Sequence, residues 1–198
     1  MKSFKKIAVT VLATVMMLLM SVTVFAADSP VKTSFNASLA KKTVTYNAKK
    51  QAPKVVVKDA NGKTINKKYY KVTYSKQGFK DAGKYKVTIT GKGKYAGYKE
   101  TITYTIKSKA QKVTLKKDSF STTKKAVKKK AKSIGTIKAT TRKGAKVTYT
   151  TNNSKIKVSK NGKITVAKGT KKGTYQIKVT VRTKNYKTVN KFVKITVK

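Results

Sequence analysis

The chain has 198 residues, of which 50 are Lys or Arg and five are Asp or Glu, and it contains no histidine, cysteine or tryptophan. General acid–base catalysis uses a histidine or paired carboxylates, and metal sites need clustered His, Cys, Asp or Glu side chains. The five acids are scattered singly along the chain. We therefore expect no enzyme activity, no metal site, no cofactor and no small-molecule substrate.

The first 26 residues have the pattern of a cleaved secretory signal peptide. Lys2, Lys5 and Lys6 precede an apolar stretch from Ile7 to Met20, and residues 24–26 (Val-Phe-Ala) fit a signal peptidase site. We predict cleavage after residue 26, with residue 27 as the second choice. An uncleaved membrane anchor is the alternative, since the apolar run approaches the ~20 residues that span a bilayer. After cleavage we expect a secreted or extracellular protein without lasting membrane insertion.

From Val31 onward apolar and polar residues alternate, which is typical of half-buried β-strands. One face of each predicted strand is apolar, and the other is mostly Lys and Thr. In the first half the predicted strands are Thr43–Tyr46, Val55–Lys58, Tyr70–Tyr74, Tyr85–Ile89 and Thr101–Ile106.

The alternation restarts after Lys109. The apolar positions of these predicted strands are Val113 and Leu115, Ile137 and Ala139, Val147 and Tyr149, Ile156 and Val158, Ile164 and Val166, Tyr175 to Val181, and Val193 to Val197.

Glycines mark the predicted turns. Asn61-Gly62 and Asn161-Gly162 are strong signals for two-residue β-hairpin turns. Further positions with φ > 0 are predicted in the glycine turns at 81–83, 91–93, 143–144 and 172–173.

Two segments repeat along the chain. Gly83–Thr90 is followed by Tyr95 and a closing strand, and Gly173–Thr180 is followed by Tyr186 and a closing strand. A repeat of this kind indicates tandem copies of one structural unit. With six or seven short strands per copy, the predicted fold is all-β, with two tandem immunoglobulin-like β-sandwich domains at residues 27–108 and 109–198. A boundary near residues 108–111 leaves a short linker, which predicts a semi-rigid arrangement.

These repeated segments carry a resemblance to a known family. The run Gly83–Gly91, with Tyr95-Ala96-Gly97, resembles the bacterial Ig-like modules of surface and secreted proteins from Gram-positive gut anaerobes. The second copy resembles the group 2 bacterial Ig-like type at Ile156–Val166 and Gly173-Thr174-Tyr175. The resemblance covers most of residues 32–198. It implies stalks, adhesive domains or wall-contacting appendages without catalytic residues, although a sandwich fold hosts unrelated functions.

The positive charge is concentrated in the second copy. Residues 27–108 hold 19 basic and four acidic residues, whereas residues 109–198 hold 28 basic and one acidic residue. We predict that the most crowded stretch is a loop or frayed edge segment that binds polyanions, through Lys124, Lys125, Lys128, Lys129, Lys130 and Lys132. An ordinary solvated charge run is the alternative.

Lysine far outnumbers arginine, so we expect diffuse, salt-sensitive attraction to an anionic polymer. The expected partners are anionic cell-wall or extracellular polymers: teichoic acid, acidic polysaccharide, mucin or extracellular DNA. Tyrosines in strand register are predicted to be core residues, whereas Tyr95, Tyr98 and Tyr186 fall in loops and either cover a sandwich end or contact a sugar.

Two functions fit this sequence. One is a secreted binding or adhesion module that holds an anionic polymer mainly through its second domain. The other is a structural spacer or matrix protein, in which lysines provide solubility and protect exposed strand edges from aggregation.

Overall fold

The computed structural model describes residues 33–198, so the predicted signal peptide and its cleavage site lie outside the described residues. Ser34–Lys198 forms one compact unit. Its elements are β-strands and three single 3-10 turns, which confirms the predicted all-β class. No helix within the described residues is long and apolar enough to cross a bilayer.

The strands, in chain order, are β1 (Asn36–Leu39), β2 (Thr43–Thr45), β3 (Val55–Lys58), β4 (Tyr70–Tyr74), β5 (Gly83–Gly91), β6 (Lys99–Lys107), β7 (Thr114–Leu115), β8 (Ser119–Thr122), β9 (Lys132–Thr136), β10 (Ala139–Thr140), β11 (Lys146–Thr151), β12 (Ile156–Val158), β13 (Lys163–Val166), β14 (Gly173–Arg182) and β15 (Val189–Val197).

The sheets of residues 34–108, called here the N-terminal module, enclose one apolar core. One sheet has the strand order β2-β6-β5-β4, and the other pairs β1 with β3. Alternation along β5 turns Val87 and Ile89 inward, where both are fully buried. Phe35 and Val57 from the first part of the module belong to the same buried cluster.

Residues 109–198, called here the C-terminal module, have a separate core. Its larger sheet has the order β11-β14-β15-β8, a second sheet has the order β12-β13-β9, and β7 pairs with β10. Ile177 and Val179 of β14 pack with Ile195 of β15 and Ile164 of β13 in this cluster. Each module thus has its own sheets and its own buried cluster, while independent folding of residues 27–108 and 109–198 stays a prediction.

Strands with strong alternation lie where the sequence predicts them, with β3 and β4 matching residue for residue. Three short strands, β1, β8 and β9, were not predicted from the sequence. β8, for example, has the sequence Ser-Phe-Ser-Thr and pairs in parallel with β15, about 75 residues away along the chain. Such strands form because a distant neighbour offers hydrogen bonds, a condition that local alternation does not report.

The two Asn-Gly pairs do lie in turns, but the prediction of two-residue turns is wrong. Gly162 donates its N–H to the carbonyl of Ser159, and Gly62 donates to Asp59, so each glycine is the fourth residue of its turn. In each Asn-Gly pair only the glycine has a positive φ, which is +79° at Gly62 and +78° at Gly162. A type I′ turn would require positive φ at both central residues.

Three of the other predicted glycine turns contain a glycine with positive φ, at Gly93, Gly144 and Gly173, whereas the turn at 81–83 does not. Gly83 and Gly91 begin and end β5 without positive φ. Gly91 is needed for a different reason. A Cβ there would overlap the carbonyl oxygen of Tyr95, so only glycine allows this close approach.

Candidate anion-binding surface

Of the six lysines predicted to bind polyanions, five lie on the connection between β8 and β9 and the sixth, Lys132, follows directly after it. All six side chains are exposed. The connection contains a 3-10 turn at Lys125–Val127, and Lys132 is the first residue of β9. The predicted loop or edge segment is therefore a loop up to residue 131, and Lys132 begins β9, an edge strand that pairs with β13.

This connection is anchored to the core at its centre. Val127 is fully buried among the apolar side chains of the C-terminal module. Its carbonyl accepts a hydrogen bond of 2.9 Å from the N–H of Gly169. The N–H of Ala126 also bonds to the hydroxyl of Thr123, at 3.3 Å. With one apolar side chain held inside, the lysines on both sides project into solvent.

Four further lysines come to the same end of the module through tertiary pairing. The N–H of Lys124 donates to the carbonyl of Lys198 at 2.7 Å. β14 begins at Gly173, which pairs with Val197 at the end of β15, so the preceding residues 171–172 lie at this end. Residues 168–170 are held there by the bond from Gly169 to Val127.

We call this set the lysine-rich end. It consists of Lys124, Lys125, Lys128, Lys129, Lys130, Lys132, Lys168, Lys171, Lys172 and Lys198.

The lysine-rich end lacks acidic neighbours in sequence. No Asp or Glu follows Asp118 in the chain. Two of the described carboxylates are engaged elsewhere: Glu100 accepts the N–H of Ala37 at 2.9 Å, and Asp59 accepts the N–H groups of its own turn. Within the described residues, none of the ten lysines forms an ion pair with a carboxylate. The ammonium groups are therefore available to an anionic ligand.

A second polar cluster, which the sequence did not predict, joins the two modules. The carboxylate of Asp81 accepts hydrogen bonds of 2.8 Å from the ammonium of Lys184 and from the side-chain amide of Asn185. These bonds, the one from Lys184 first, hold the pKa of Asp81 below its usual 3.8. The same bond to Asp81 raises the pKa of Lys184 above its usual 10.5.

Backbone geometry supports this junction. Asn185 has φ +68°, and asparagine is one of the few residues that adopt the left-handed region readily. In this conformation its side-chain oxygen accepts the N–H of Ala82 at 2.9 Å, and its backbone carbonyl accepts the N–H of Lys109 at 3.0 Å. One residue thus contacts both the N-terminal module and the linker.

Tyr186 completes the junction rather than standing free for a sugar. Its ring packs edge-on against Tyr46 with centroids 5.5 Å apart. The guanidinium of Arg142 lies 4.4 Å above the ring and donates to the hydroxyl at 2.9 Å. The sequence did mark Tyr186 as a loop tyrosine, but the identity of its partners depends on the distant segments that the fold brings to it.

The other two loop tyrosines pack against rings of the N-terminal module. Tyr95 is 3% exposed and belongs to the core. Tyr98 packs edge-on against Phe35, with centroids 4.5 Å apart. Of the two alternatives given for the loop tyrosines, the packing of Tyr95 and Tyr98 therefore agrees with covering a sandwich end rather than contacting a sugar.

No protein-family model matches the sequence, and no curated protein matches it. Membership of a bacterial Ig-like family and an origin in Gram-positive bacteria stay predictions from the resemblance.

Several solved structures resemble the fold at low identity. Drosophila N-cadherin EC1-4 gives a TM-score of 0.37 and 11% identity over 84% of this chain and 51% of that chain. Human protocadherin-24 EC1-2 gives a TM-score of 0.35 and 12% identity over 84% of this chain and 98% of that chain. The Ig1-2 module of the Drosophila receptor protein tyrosine phosphatase DLAR gives a TM-score of 0.31 and 11% identity over 82% of this chain and 98% of that chain. The chain thus spans about half of the N-cadherin structure. These neighbours are cadherin and immunoglobulin domains, and at these scores we draw no conclusion about function from them.

Proposed function

We propose that this chain is an exported, non-catalytic binding or adhesion protein that holds an anionic polymer through its lysine-rich end. One observation carries the proposal. Ten lysines from three separate parts of the C-terminal module lie at one end of it, without an ion pair to a described carboxylate, and five of them are on a connection held by Val127.

The chemistry of lysine sets the mode of binding. Each ammonium is a compact point charge on a flexible stem, suited to phosphate or carboxylate groups in many orientations. Polymer binding of this type releases condensed counterions and weakens steeply with salt. The proposed partners are therefore teichoic acid, acidic polysaccharide, mucin or extracellular DNA, and the proposed location is outside the cell.

The alternative is a structural spacer, for which the strand edges provide an argument. Exposed lysines lie on the edge strands, including Lys71 on β4, Lys146 on β11 and Lys132 on β9. Charged edges prevent strands of different molecules from pairing. A spacer would be poorly retained on intact bacteria at ~0.15 M salt, where exposed charges are screened beyond about 8 Å.

Replacing the six lysines of residues 124–132 with glutamine tests the proposal. The variant changes Lys124, Lys125, Lys128, Lys129, Lys130 and Lys132 together. We expect its affinity for inorganic polyphosphate to fall, and the slope of log affinity against log salt to decrease in magnitude by about 4, since each lost contact contributes about 0.7. Titrations at several salt concentrations, with a pull-down on intact bacteria, provide the measurement.

The matched control replaces six exposed lysines of the N-terminal module, Lys41, Lys42, Lys49, Lys50, Lys76 and Lys80, which makes the same change in net charge. We expect a much smaller loss. Equal losses from the two variants would show that total charge, rather than the lysine-rich end, governs binding. Binding that does not respond to salt would contradict the proposal altogether.

A salt wash of cell fractions tests the proposed location and separates the two functions. A protein held by charge leaves the wall fraction as the ionic strength rises, whereas a protein retained in the membrane fraction would support the uncleaved anchor.

A further inference from the structure

The outer face of the sheet β11-β14-β15-β8 carries an unexpected aromatic ring. Phe192 on β15 is 52% exposed and is the one exposed large apolar side chain within residues 33–198. Its neighbours Val193 and Lys191 alternate in direction with it, so the ring is directed away from the core that Val193 fills. Phe192 therefore lies outside the core of the C-terminal module.

Polar side chains surround this ring in regular rows. Phe192 lies opposite Lys178, which in turn lies opposite Thr150. In the row on one side, Gln176 lies opposite Lys194. A shallow depression at this place is lined by Phe192, Lys178, Gln176 and Thr150 together with Thr151 and Asn152.

Three polar side chains of this face are free to bind. The side chains of Gln176, Thr150 and Lys178 make no hydrogen bond to any described residue. The ring of Phe192 takes no part in the ring–ring and cation–ring contacts of residues 33–198, so neither of its faces is occupied by such a partner.

We propose that this face binds an acidic polysaccharide, with one sugar ring stacked on Phe192. The face of a phenyl ring is electron-rich and attracts the weakly positive C–H groups on the apolar side of a pyranose. Gln176 and Thr150 each donate and accept hydrogen bonds, as sugar hydroxyls do. Lys178 and Lys194 supply positive charge for the carboxylate or sulfate groups of the polymer.

The chemistry of the face favours a sugar over other occupants. A single ring among hydroxyl, amide and ammonium groups offers far less apolar area than a stable protein interface requires. A neutral glycan would leave the ammonium groups of Lys178 and Lys194 without partners, and no Asp or Glu follows Asp118 in this module. Single-stranded DNA also stacks on aromatic rings, and its binding is an outcome of the test below.

This inference rests on the proposed function and names the polymer class. The lysine-rich end would supply long-range, sequence-independent attraction, and the Phe192 face would recognise the sugar ring.

The test compares the full chain with Phe192→Ala and Phe192→Tyr by calorimetric titration of oligogalacturonate, inorganic polyphosphate and oligothymidylate. We expect Phe192→Ala to weaken oligogalacturonate binding about fivefold, which corresponds to ~1 kcal/mol of ring contact. Phe192→Tyr retains the ring and should bind nearly as the native chain does. Polyphosphate has no ring to stack, so its affinity should not change in either variant.

Several results would overturn the inference. These are an absence of oligogalacturonate binding at low salt, an unchanged affinity in Phe192→Ala, an equal loss for polyphosphate, or a larger loss for oligothymidylate. The variant with six glutamines separates the two proposals. If it loses affinity for every polymer while Phe192→Ala loses none, the proposal for the Phe192 face is contradicted and that for the lysine-rich end is supported. If Phe192→Ala alone weakens binding, the proposal for the lysine-rich end is contradicted and that for the Phe192 face is supported.

Discussion

Val127 is the apolar residue within a stretch that is otherwise almost entirely lysine and alanine. In sequence it looks like part of a solvated charge run. In the structure its side chain is fully buried in the core of the C-terminal module, and its backbone holds the segment around Gly169. A segment of high charge thereby gains a fixed position, which a freely solvated run would lack.

Replacing Val127 with alanine should therefore affect both stability and the position of the lysines. The substitution removes two buried methyl groups and leaves a cavity, which lowers the free energy of unfolding by about 2 kcal/mol. We expect a lower urea midpoint and faster amide hydrogen exchange in residues 124–131. Phe192→Ala, a larger change at an exposed position, is the control and should leave the midpoint nearly unchanged. An equal shift in both variants would mean that Val127 does not anchor the connection.

The two Asn-Gly turns show how the same local signal meets different surroundings. Gly62 and Gly162 have φ of +79° and +78°, and each ends its turn in the same way. A Cβ on Gly62 would meet nothing within 4 Å, whereas one on Gly162 would lie 2.6 Å from the carbonyl oxygen of Ile137 and 2.9 Å from the hydroxyl of Tyr149. The sequence predicts the turn in both places but not the crowding in one of them.

Alanine substitutions at the two glycines form a matched pair of tests. In Gly62→Ala only the left-handed backbone is penalised, at about 1 kcal/mol. Gly162→Ala adds a steric clash with a backbone oxygen, and we expect a total cost of about 3 kcal/mol. Urea unfolding of both variants gives the comparison. Similar costs would show that the turn at Gly162 relaxes to admit the methyl group.

At the scale of the whole molecule, the junction decides whether the two modules act together. Asp81 contributes a carboxylate from the N-terminal module, and Lys184 and Asn185 contribute donors from the C-terminal module. The side chains of Lys184 and Asp81 are 77% and 50% exposed, so this pair adds little to the free energy of unfolding. We expect its effect to be a restriction of the orientation of one module relative to the other.

Replacing Asp81 with asparagine should loosen the junction without unfolding either module. We expect the relative motion of the modules, measured by NMR relaxation, to increase, while the urea midpoint stays nearly the same. Asp59→Asn is the control, since Asp59 accepts hydrogen bonds only within its own turn. If both variants tumble as the native chain does, the ion pair does not restrain the modules.

The same junction should respond to pH in a defined direction. A carboxyl with a lowered pKa stabilises the folded contact when it is ionised, and an ammonium with a raised pKa does so when it is protonated. The contribution is therefore complete between the ordinary values of 3.8 for Asp81 and 10.5 for Lys184. It is lost as the pH falls through the lowered value of Asp81 or rises through the raised value of Lys184.

The sequence by itself determined the strong strands, the all-β class and the crowding of lysines at 124–132. Alternation is a local property, and burial of one strand face follows directly from it. The same holds for the tyrosines on β5 and β6, where Tyr85 and Tyr104 are buried as their register predicts.

Only the tertiary structure decided which lysines join that stretch, which short strands form and how the modules meet. Lys168 and Lys198 are 30 or more residues from Lys132 in sequence. Lys198 reaches the same end because β8 runs parallel to β15, and Lys168 does so because the N–H of its neighbour Gly169 bonds to the carbonyl of Val127. Asp81 meets Asn185 across 104 residues. Contacts of this kind depend on strand order and direction, which the alternation of side chains along a single strand does not encode.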